Sequence, residues 1–593
     1  MPIPDLPDED CYLEPIEFKK YKKRLCVFDT EDDSEGNPLM VDFYDGKAHT
    51  FFDLRNNEGQ DAATMYILEM KYDVLIAHNL EYDLVNIFKN SYFGFIDELV
   101  YSARLITAKI GKLVLMDSYN WCMMPLKAMG KIVGIEKGDL EVSKENWDDF
   151  VEYNQKDTEI LFKFCDLFQK NINKLGLNLR PTIARMAMDF WRSKFQKMKI
   201  PQNSCRNVLS AYYGGRTEAF YIGELEGDIR VADVRSMYPF CMRNNPFPFG
   251  FIKKCDWTRT EFGVIHCLVK IPIDIEVPPL PVHSKGKLIF PVGEVEGWWT
   301  FVELRYALDY GVKLDVVYEA YGTDTECHPF DEYIDTTYGM RQESREAGDD
   351  FGVMLWKLFM NCLYGKYGQH KKGVILKSEV TEQDLETYVL KGLCGEFKIL
   401  EEKDDGISPT SNFIWAAYVT SYARIYLHKA FRVVCDAGHK LFYGDTDSIF
   451  YLHNDPFNPE SPFKLGTELG QFDEEKFVKA EVTTLKAYKL TKADGKEKLA
   501  CKGVPQKYMA EFLEEGLVDI VKPMRMREGM KRELGLNVWG TITKKMQSVY
   551  DKREVLESGE TKALVLTQKK KPVDNTNKGG KNGKGRNATK AKK

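Results

Sequence analysis

The chain has 593 residues, 44% hydrophobic and 29% charged, which excludes a wholly disordered protein and suggests about three to five domains. Lys and Arg total 83 against 90 Asp and Glu, a formal charge of −7 that argues at first sight against a partner bound through phosphates. No apolar run reaches the roughly 18–20 residues of a membrane span, and the 13 cysteines never show C-x-x-C spacing, so no anchor, disulfide framework or cysteine zinc site is expected.

The N-terminus, MPIPDLPDEDCYLEP, is acidic and proline-rich, without the basic and apolar regions of a signal peptide, which implies a cytoplasmic protein. RLCVFDTE (24–31) reads as a strand, and Asp29 and Glu31, two apart, leave the same face. DVLIAHNLEYDLVNIF (73–88) reads as a strand followed by a helix, with Asn79, Tyr82 and Asp83 at the junction. WDDFVEYNQKDTEILFKFCDLFQK (147–170) has helical spacing and puts Tyr153 and Asp157 on one face. Taken singly, each fits a solvated strand end or helix surface. Together they form the set that two-metal hydrolysis of a phosphodiester needs: several carboxylates to hold cations, and a phenol to orient a water.

Further along, VADVRSMYPF ends an apolar run on Asp233, followed by Val234, Ser236 and Tyr238. Residues 351–367, FGVMLWKLFMNCLYGKY, are helical in pattern, with Lys357, Asn361 and Tyr364 on one stripe and Leu358, Phe359 and Leu363 suited to a core. A lysine there can meet triphosphate oxygens, and a tyrosine ring can support a base. LFYGDTDSIFYL (441–452) is two apolar runs about a polar centre, a β-hairpin carrying Asp445 and Asp447. The bland alternative is ordinary turn chemistry. From Thr561 to Lys593, eleven basic residues stand against one acid, which reads as a disordered tail of net charge +10. It is either a solubilising extension or a source of nonspecific DNA attraction.

FDTE, NLEYD and YNQKD resemble, in order and distance, the three exonuclease motifs of family B DNA polymerases. DVRSMYP, K-L-F-M-N-C-L-Y-G and YGDTDS resemble that family's three polymerase motifs, with Cys362 where serine is usual. YYGGR (212–216), TSYAR (420–424) and LKAYK (485–489) resemble three further segments, which makes Tyr212, Gly214, Gly215, Arg424, Lys486 and Tyr488 DNA contacts by resemblance, with Asn79 and Tyr82. The resemblance covers roughly the first 500 residues. It implies an α/β and α+β multidomain chain: an RNase H-like exonuclease domain and a right-hand polymerase of palm, fingers and thumb. It implies two Mg²⁺ (or Mn²⁺) per active site, held by Asp233, Val234 and Asp447 in one and by Asp29, Glu31, Asp83 and Asp157 in the other. Asp445 stands beside the polymerase ligands, Tyr153 serves excision, and Lys357, Asn361, Tyr364 and Tyr238 line the nucleotide pocket, Tyr238 against the sugar 2′ position.

LPVHSKGKLIFPVGEVEGWWTFVEL (280–304) and the segment about 370–410 resemble the two insertions of the protein-primed branch of bacteriophages and linear plasmids, a resemblance that implies strand displacement and a terminal protein as primer. Primer-template DNA and dNTPs are the other partners, no membrane is involved, and the chain is expected to act as a monomer, in host cytoplasm if virus-encoded. The expected divisions are exonuclease 1–185, linker and first palm 186–270, first insertion 271–350, fingers 351–369, second insertion 370–410, palm 411–510, thumb 511–560 and tail 561–593. Ser118 and Tyr119 stand where the branch has a single-strand ligand pair, and Lys137 and Lys144 both compete to be its exonuclease lysine. Alternatives left open are ordinary DNA or RNA priming, a nuclease with a vestigial polymerase module, and a non-catalytic DNA-binding scaffold.

Overall fold

The computed structural model describes residues 5–567, apart from residues 20, 34, 89–92, 103, 139–145, 370–373, 404–406, 455–460, 526–527, 529–531, 533–538 and 547–549. Three sheets organise the chain. The first has ten strands in the order Tyr388–Cys394, Phe397–Glu402, Val374–Lys377, Glu98–Tyr101, Leu105–Ile110, Leu113–Asp117, Val74–Ala77, Leu25–Asp32, Pro38–Tyr44 and His49–Asp53. Its central strands are nearly continuous apolar runs, as burial on both faces requires, and the 28-residue helix Trp147–Lys174 packs against Leu25–Asp32 and Pro38–Tyr44. That helix starts where the Asn146 side chain accepts the Asp148 N–H.

The second sheet has seven strands in the order Thr217–Ala219, Lys440–Asp445, Ser448–Leu452, Gly223–Val234, Phe472–Thr484, Ala487–Thr491 and Glu497–Cys501. The helix Phe413–Asp436, buried along most of its length, lies behind it. Phe431 of this helix sits so close to the hairpin that a Cβ on Gly444 would fall 2.3 Å from its ring. Glycine before Asp445 is therefore a packing requirement. A third sheet, of five strands, joins Lys253–Lys254, Lys313–Thr323, Phe262–Ile271, Val292–Thr300 and Val565–Leu566. Among the described residues, no helix is long and apolar enough to cross a membrane.

The mixed architecture matches the expectation, but several expected boundaries move. The helix Ile183–Lys194 runs across the division at 185, and the strand Phe262–Ile271 across that at 270. The helix Asp331–Glu346 belongs with Asp350–Cys362, not with an insertion. The two pack as a pair, joined by a tight turn in which the Asp349 side chain caps Gly352. The second helix ends at Cys362, and a short helix, Tyr364–Tyr367, follows.

The strands of the expected second insertion pair with Glu98–Tyr101 and so extend the first sheet. Past residue 510, the helix Met509–Glu515 and the antiparallel pair Leu517–Pro523 and Trp539–Lys545 form a small unit, after which the chain returns to the second sheet at Tyr550. The expected tail begins too early. Thr561–Ala563 pairs with Arg553–Val555, and Val565–Leu566 adds to the third sheet, because apolar residues there have strand edges to cover. Residues 568–593, the rest of the expected tail, lie outside the described residues.

Candidate active sites

Asp29 and Glu31 project from the strand Leu25–Asp32 toward Asp157 on the long helix, and oxygens of the three carboxylates lie within 4.8 Å of one another. Burial pushes the Asp29 carboxyl well above the ordinary range, and the nearby charges of Asp83, Glu31 and Asp157 add to the shift. Asp83, on the helix Leu80–Ile87, is buried and raised for the same first reason, although its Oδ1 accepts from the Thr30 N–H at 3.2 Å and hydroxyl at 2.7 Å. Lys137 pairs with Asp157 Oδ2, and its ammonium sits 4.5 Å from the centre of the Tyr153 ring. Burial pushes the Tyr153 phenol up to about 12. Asp157 Oδ1 is buried without a hydrogen-bond partner among the described residues. Crowded carboxylates with raised pKa and an orphaned oxygen fit a divalent cation. Of the two competing lysines, Lys137 is at the centre, while Lys144 lies outside the described residues.

A cavity of about 430 Å³ opens beside this centre, lined by His78, Asn79, Tyr82, Arg104 and Tyr119, with Arg525 from the unit after residue 510. Asp117 Oδ1 accepts the main-chain N–H groups of Asn79 and Tyr119, both at 2.9 Å, which fixes the rim. Arg104 stacks 4.7 Å above the Tyr119 ring. Tyr82 donates to Asp32. Ser118 turns inward: it is fully buried, and its hydroxyl donates to the Ala77 carbonyl at 3.0 Å. It therefore cannot share Tyr119's place on the cavity wall.

The second centre lies on the seven-stranded sheet. Asp233 closes the strand Gly223–Val234 opposite Ser448, and Asp447 occupies the two-residue turn of the hairpin, its carbonyl accepting the Val234 N–H at 2.8 Å. Thr446 bears the positive φ of that turn, +62°. Burial, then the charges of Asp233 and Asp445, push Asp447 up to about 6. Burial also raises Asp233. Asp445 differs from both. Its Oδ1 accepts from Thr217 at 2.9 Å and Thr446 at 3.1 Å, and its Oδ2 meets Lys486 Nζ at 3.0 Å. Asp445 is thus an anchor for Lys486, and the open carboxylates are Asp233 and Asp447.

Facing them, the Tyr238 and Tyr364 ring centroids are 4.2 Å apart, which joins the helix Met237–Asn244 to the short helix after Cys362. Lys357 is exposed and Asn361 half-exposed on the same helix pair. Burial pushes the Cys362 thiol up to about 11, and this residue neighbours Tyr333 of the paired helix. Tyr488 packs its ring edge-on to Tyr443 and Phe450, at 5.4 and 5.1 Å.

Several expected DNA contacts are in fact internal. Arg424 is buried. It forms a two-pronged ion pair with Glu303 (2.7 and 2.8 Å), and its Nη1 donates to the carbonyls of Tyr213 and Gly214. Its donors hold the Y-Y-G-G loop and have nothing left for DNA. Gly215 is needed because a Cβ there would lie 2.9 Å from Thr446 and 3.1 Å from the Tyr238 hydroxyl, whereas Gly214 faces open space. Tyr212 lies against Gly368, where a Cβ would be 2.5 Å from its ring, so it wedges the loop against the helix pair.

Sequence reading missed Glu303 and Thr217, which carry no local signal because their partners are about 120 and 230 residues away. It also missed Arg341, on the helix Asp331–Glu346. The Arg341 Nε is buried without a partner among the described residues, close to Arg235 and Arg345.

Comparison with known proteins gives concordant results. Residues 135–409 match a family described as DNA polymerase type B, organellar and viral. The DNA-directed DNA polymerase of Enterobacteria phage PRD1 is 28% identical over 514 residues, covering 82% of this chain and 86% of that protein. The chain is thus similar to type B DNA polymerases over most of its length. A probable DNA polymerase of Neurospora intermedia is 28% identical over 254 residues, where the chain spans only 26% of that longer protein. Among solved structures, Phi29 DNA polymerase complexed with single-stranded DNA aligns with 88% of this chain and 100% of its own, at 19% identity and a TM-score of 0.67. The same fold is therefore shared at low identity.

Proposed function

We propose that the chain copies a DNA template from dNTPs and excises mispaired 3′ ends at a separate site. The observation that carries this reading is the pair of carboxylate centres on two different sheets, only one of which, among the described residues, faces a pair of packed tyrosines. At the second centre Asp233, Asp447 and the Val234 carbonyl would hold Mg²⁺, or Mn²⁺ in its place. When bound, the metal lowers the pKa of the primer hydroxyl and neutralises triphosphate charge. Tyr238 and Tyr364 form the pocket wall with Asn361, and the crowded Tyr238 hydroxyl disfavours a 2′-OH. Lys357 grips the triphosphate, with Arg341 behind it, and stabilises charge as pyrophosphate leaves.

At the first centre Asp29, Glu31, Asp83 and Asp157 hold the cations, Tyr153 orients a water, and Lys137 offsets the carboxylate charge. A frayed strand reaches this centre through the cavity, where Tyr119 and Arg104 offer a base a stacking surface. Lys486 meets the primer backbone, with Tyr488 beside it. Asp447→Ala is expected to abolish primer extension on a primed template and to spare excision of single-stranded DNA. Extension at wild-type rates would overturn the assignment.

The finer reading is protein-primed, strand-displacing replication of a phage or linear plasmid genome by a cytoplasmic monomer. It is supported by the similarity to a phage polymerase over most of both chains and by the two segments, near residues 253–323 and 374–402, that elaborate the core. The first nucleotide would then be joined to a terminal protein's hydroxyl side chain. Incubation with Mg²⁺, dNTPs and candidate terminal proteins should give a covalent protein–dNMP adduct. Normal primer extension without any adduct would favour DNA or RNA primers.

A further inference from the structure

Beside Asp29 on the first sheet stands a further carboxylate, Asp42. It lies on the strand Pro38–Tyr44 directly opposite Asp29, so both side chains leave the same face of the sheet, toward the helix Trp147–Lys174. Asp42 is fully buried. Its Oδ2 accepts from the Thr158 hydroxyl at 2.5 Å and meets His49 Nδ1 at 2.7 Å. The His49 ring stacks on Tyr44, with centroids 4.3 Å apart, and its Nε2 lies 3.6 Å from Glu159.

Thr158 follows Asp157 in the helix. One turn earlier, Asn154 Nδ2 donates to Asp29 Oδ2 at 3.3 Å and to the Asp29 carbonyl at 3.4 Å. Positions 154 and 158 share a helix face. The helix is therefore tied to the sheet before and after Asp157, by Asn154 to the strand Leu25–Asp32 and by Thr158 to the strand beside it.

These ties carry a cost that plain packing avoids. Asp42 Oδ1 and Asn154 Oδ1 are both buried without a hydrogen-bond partner among the described residues. Apolar side chains would press the same helix on the same strands and leave no acceptor unmet. What they would lack is direction. A hydrogen bond fixes the rotation of the helix about its axis, and a metal centre tolerates errors of only about 0.5 Å in its ligands.

We propose that Asp42 is a positioning residue of the first centre: braced by His49, it holds Thr158 and so sets Asp157 at the distance from Asp29 that a divalent cation needs. Asp42 itself touches no reacting atom. It acts through Thr158 and the helix turn, as outer partners of metal ligands do. This rests on the excision reading above.

The test uses the full chain without DNA, carrying Asp447→Ala to silence the second centre. Mn²⁺ binding is read from the spin-resonance signal of the free ion, well below the melting temperature of each variant. Thr158→Val keeps the shape and removes the donor, and should weaken Mn²⁺ binding about 10–100-fold, while Thr158→Ser keeps the wild-type affinity. The Mg²⁺ concentration for half-maximal excision should rise by the same factor, with the rate at saturating Mg²⁺ little changed. Wild-type Mn²⁺ affinity in Thr158→Val overturns the proposal and leaves Asp42 as a tie for packing alone. Should Thr158→Val fail to fold, Thr158→Ala is compared with Thr158→Ser: weaker binding by about that factor supports the brace, and equal affinities overturn it. Mn²⁺ binding untouched by Asp29→Ala with Glu31→Ala would instead sink the excision reading itself, a separate outcome.

Discussion

The two carboxylate centres are built in opposite ways. At the centre on the first sheet, the proposed excision site, Asp29 and Glu31 from a strand and Asp157 from a helix converge until their oxygens crowd one another, and the protein supplies its own cation, Lys137. At the centre on the second sheet, Asp233 lies on a strand and Asp447 in the hairpin turn beside it, a third carboxylate is already tied down, and the facing wall comes from separate helices. The first is closed by the fold alone. The second depends on framework contacts that hold loop, sheet and helices in register.

The comparison is sharpest under reciprocal substitution. Asp29→Ala with Glu31→Ala should reduce excision on the order of 10³-fold or more and leave extension of a matched primer intact, the mirror image of Asp447→Ala. Both activities falling together in a gel assay would mean that the centres are not separate. Next in size, Arg424→Ala leaves Glu303 buried and unpaired and frees the Y-Y-G-G loop. A loss of about 3–5 kcal/mol is expected in denaturant unfolding.

Lys137→Met should slow excision about 10²-fold without moving extension, read from single-turnover rates. The smallest effect concerns Asp447, whose folded carboxyl titrates at about 6 against an ordinary 3.8. Between those values the folded state binds the extra proton, so metal-free protein gains stability as pH falls from about 6 toward 4 and loses it as pH rises. Asp447→Asn should flatten that part of the melting curve by roughly 1 °C.

Much of this was legible in the sequence because it is local. Asp29 with Glu31, Tyr153 with Asp157, and the Y-G-D-T-D hairpin each declare a geometry through spacing alone, and the structure realises each one. What was not legible is pairing at a distance. Nothing near Arg424 announces Glu303, so a buried brace was read as a DNA contact. Nothing near residue 374 announces an edge strand at Glu98, so an extension of the first sheet was read as a free insertion. The helix Asp331–Glu346 was placed in the first insertion by resemblance, and no local signal announced its packing on Asp350–Cys362.

That edge pairing has a consequence for anyone who would dissect the molecule. The strands Glu98–Tyr101 and Val374–Lys377 hydrogen-bond side by side although some 270 residues separate them. The chain leaves one sheet, builds two strands of the seven-stranded sheet and four of the five-stranded one, and comes home to the first sheet before it completes the second, like a purse whose clasp is its own rim. A fragment cut at residue 185 would lose that rim and bare an unpaired strand, inviting self-association. The excision module is better excised as a pair of segments than as a prefix.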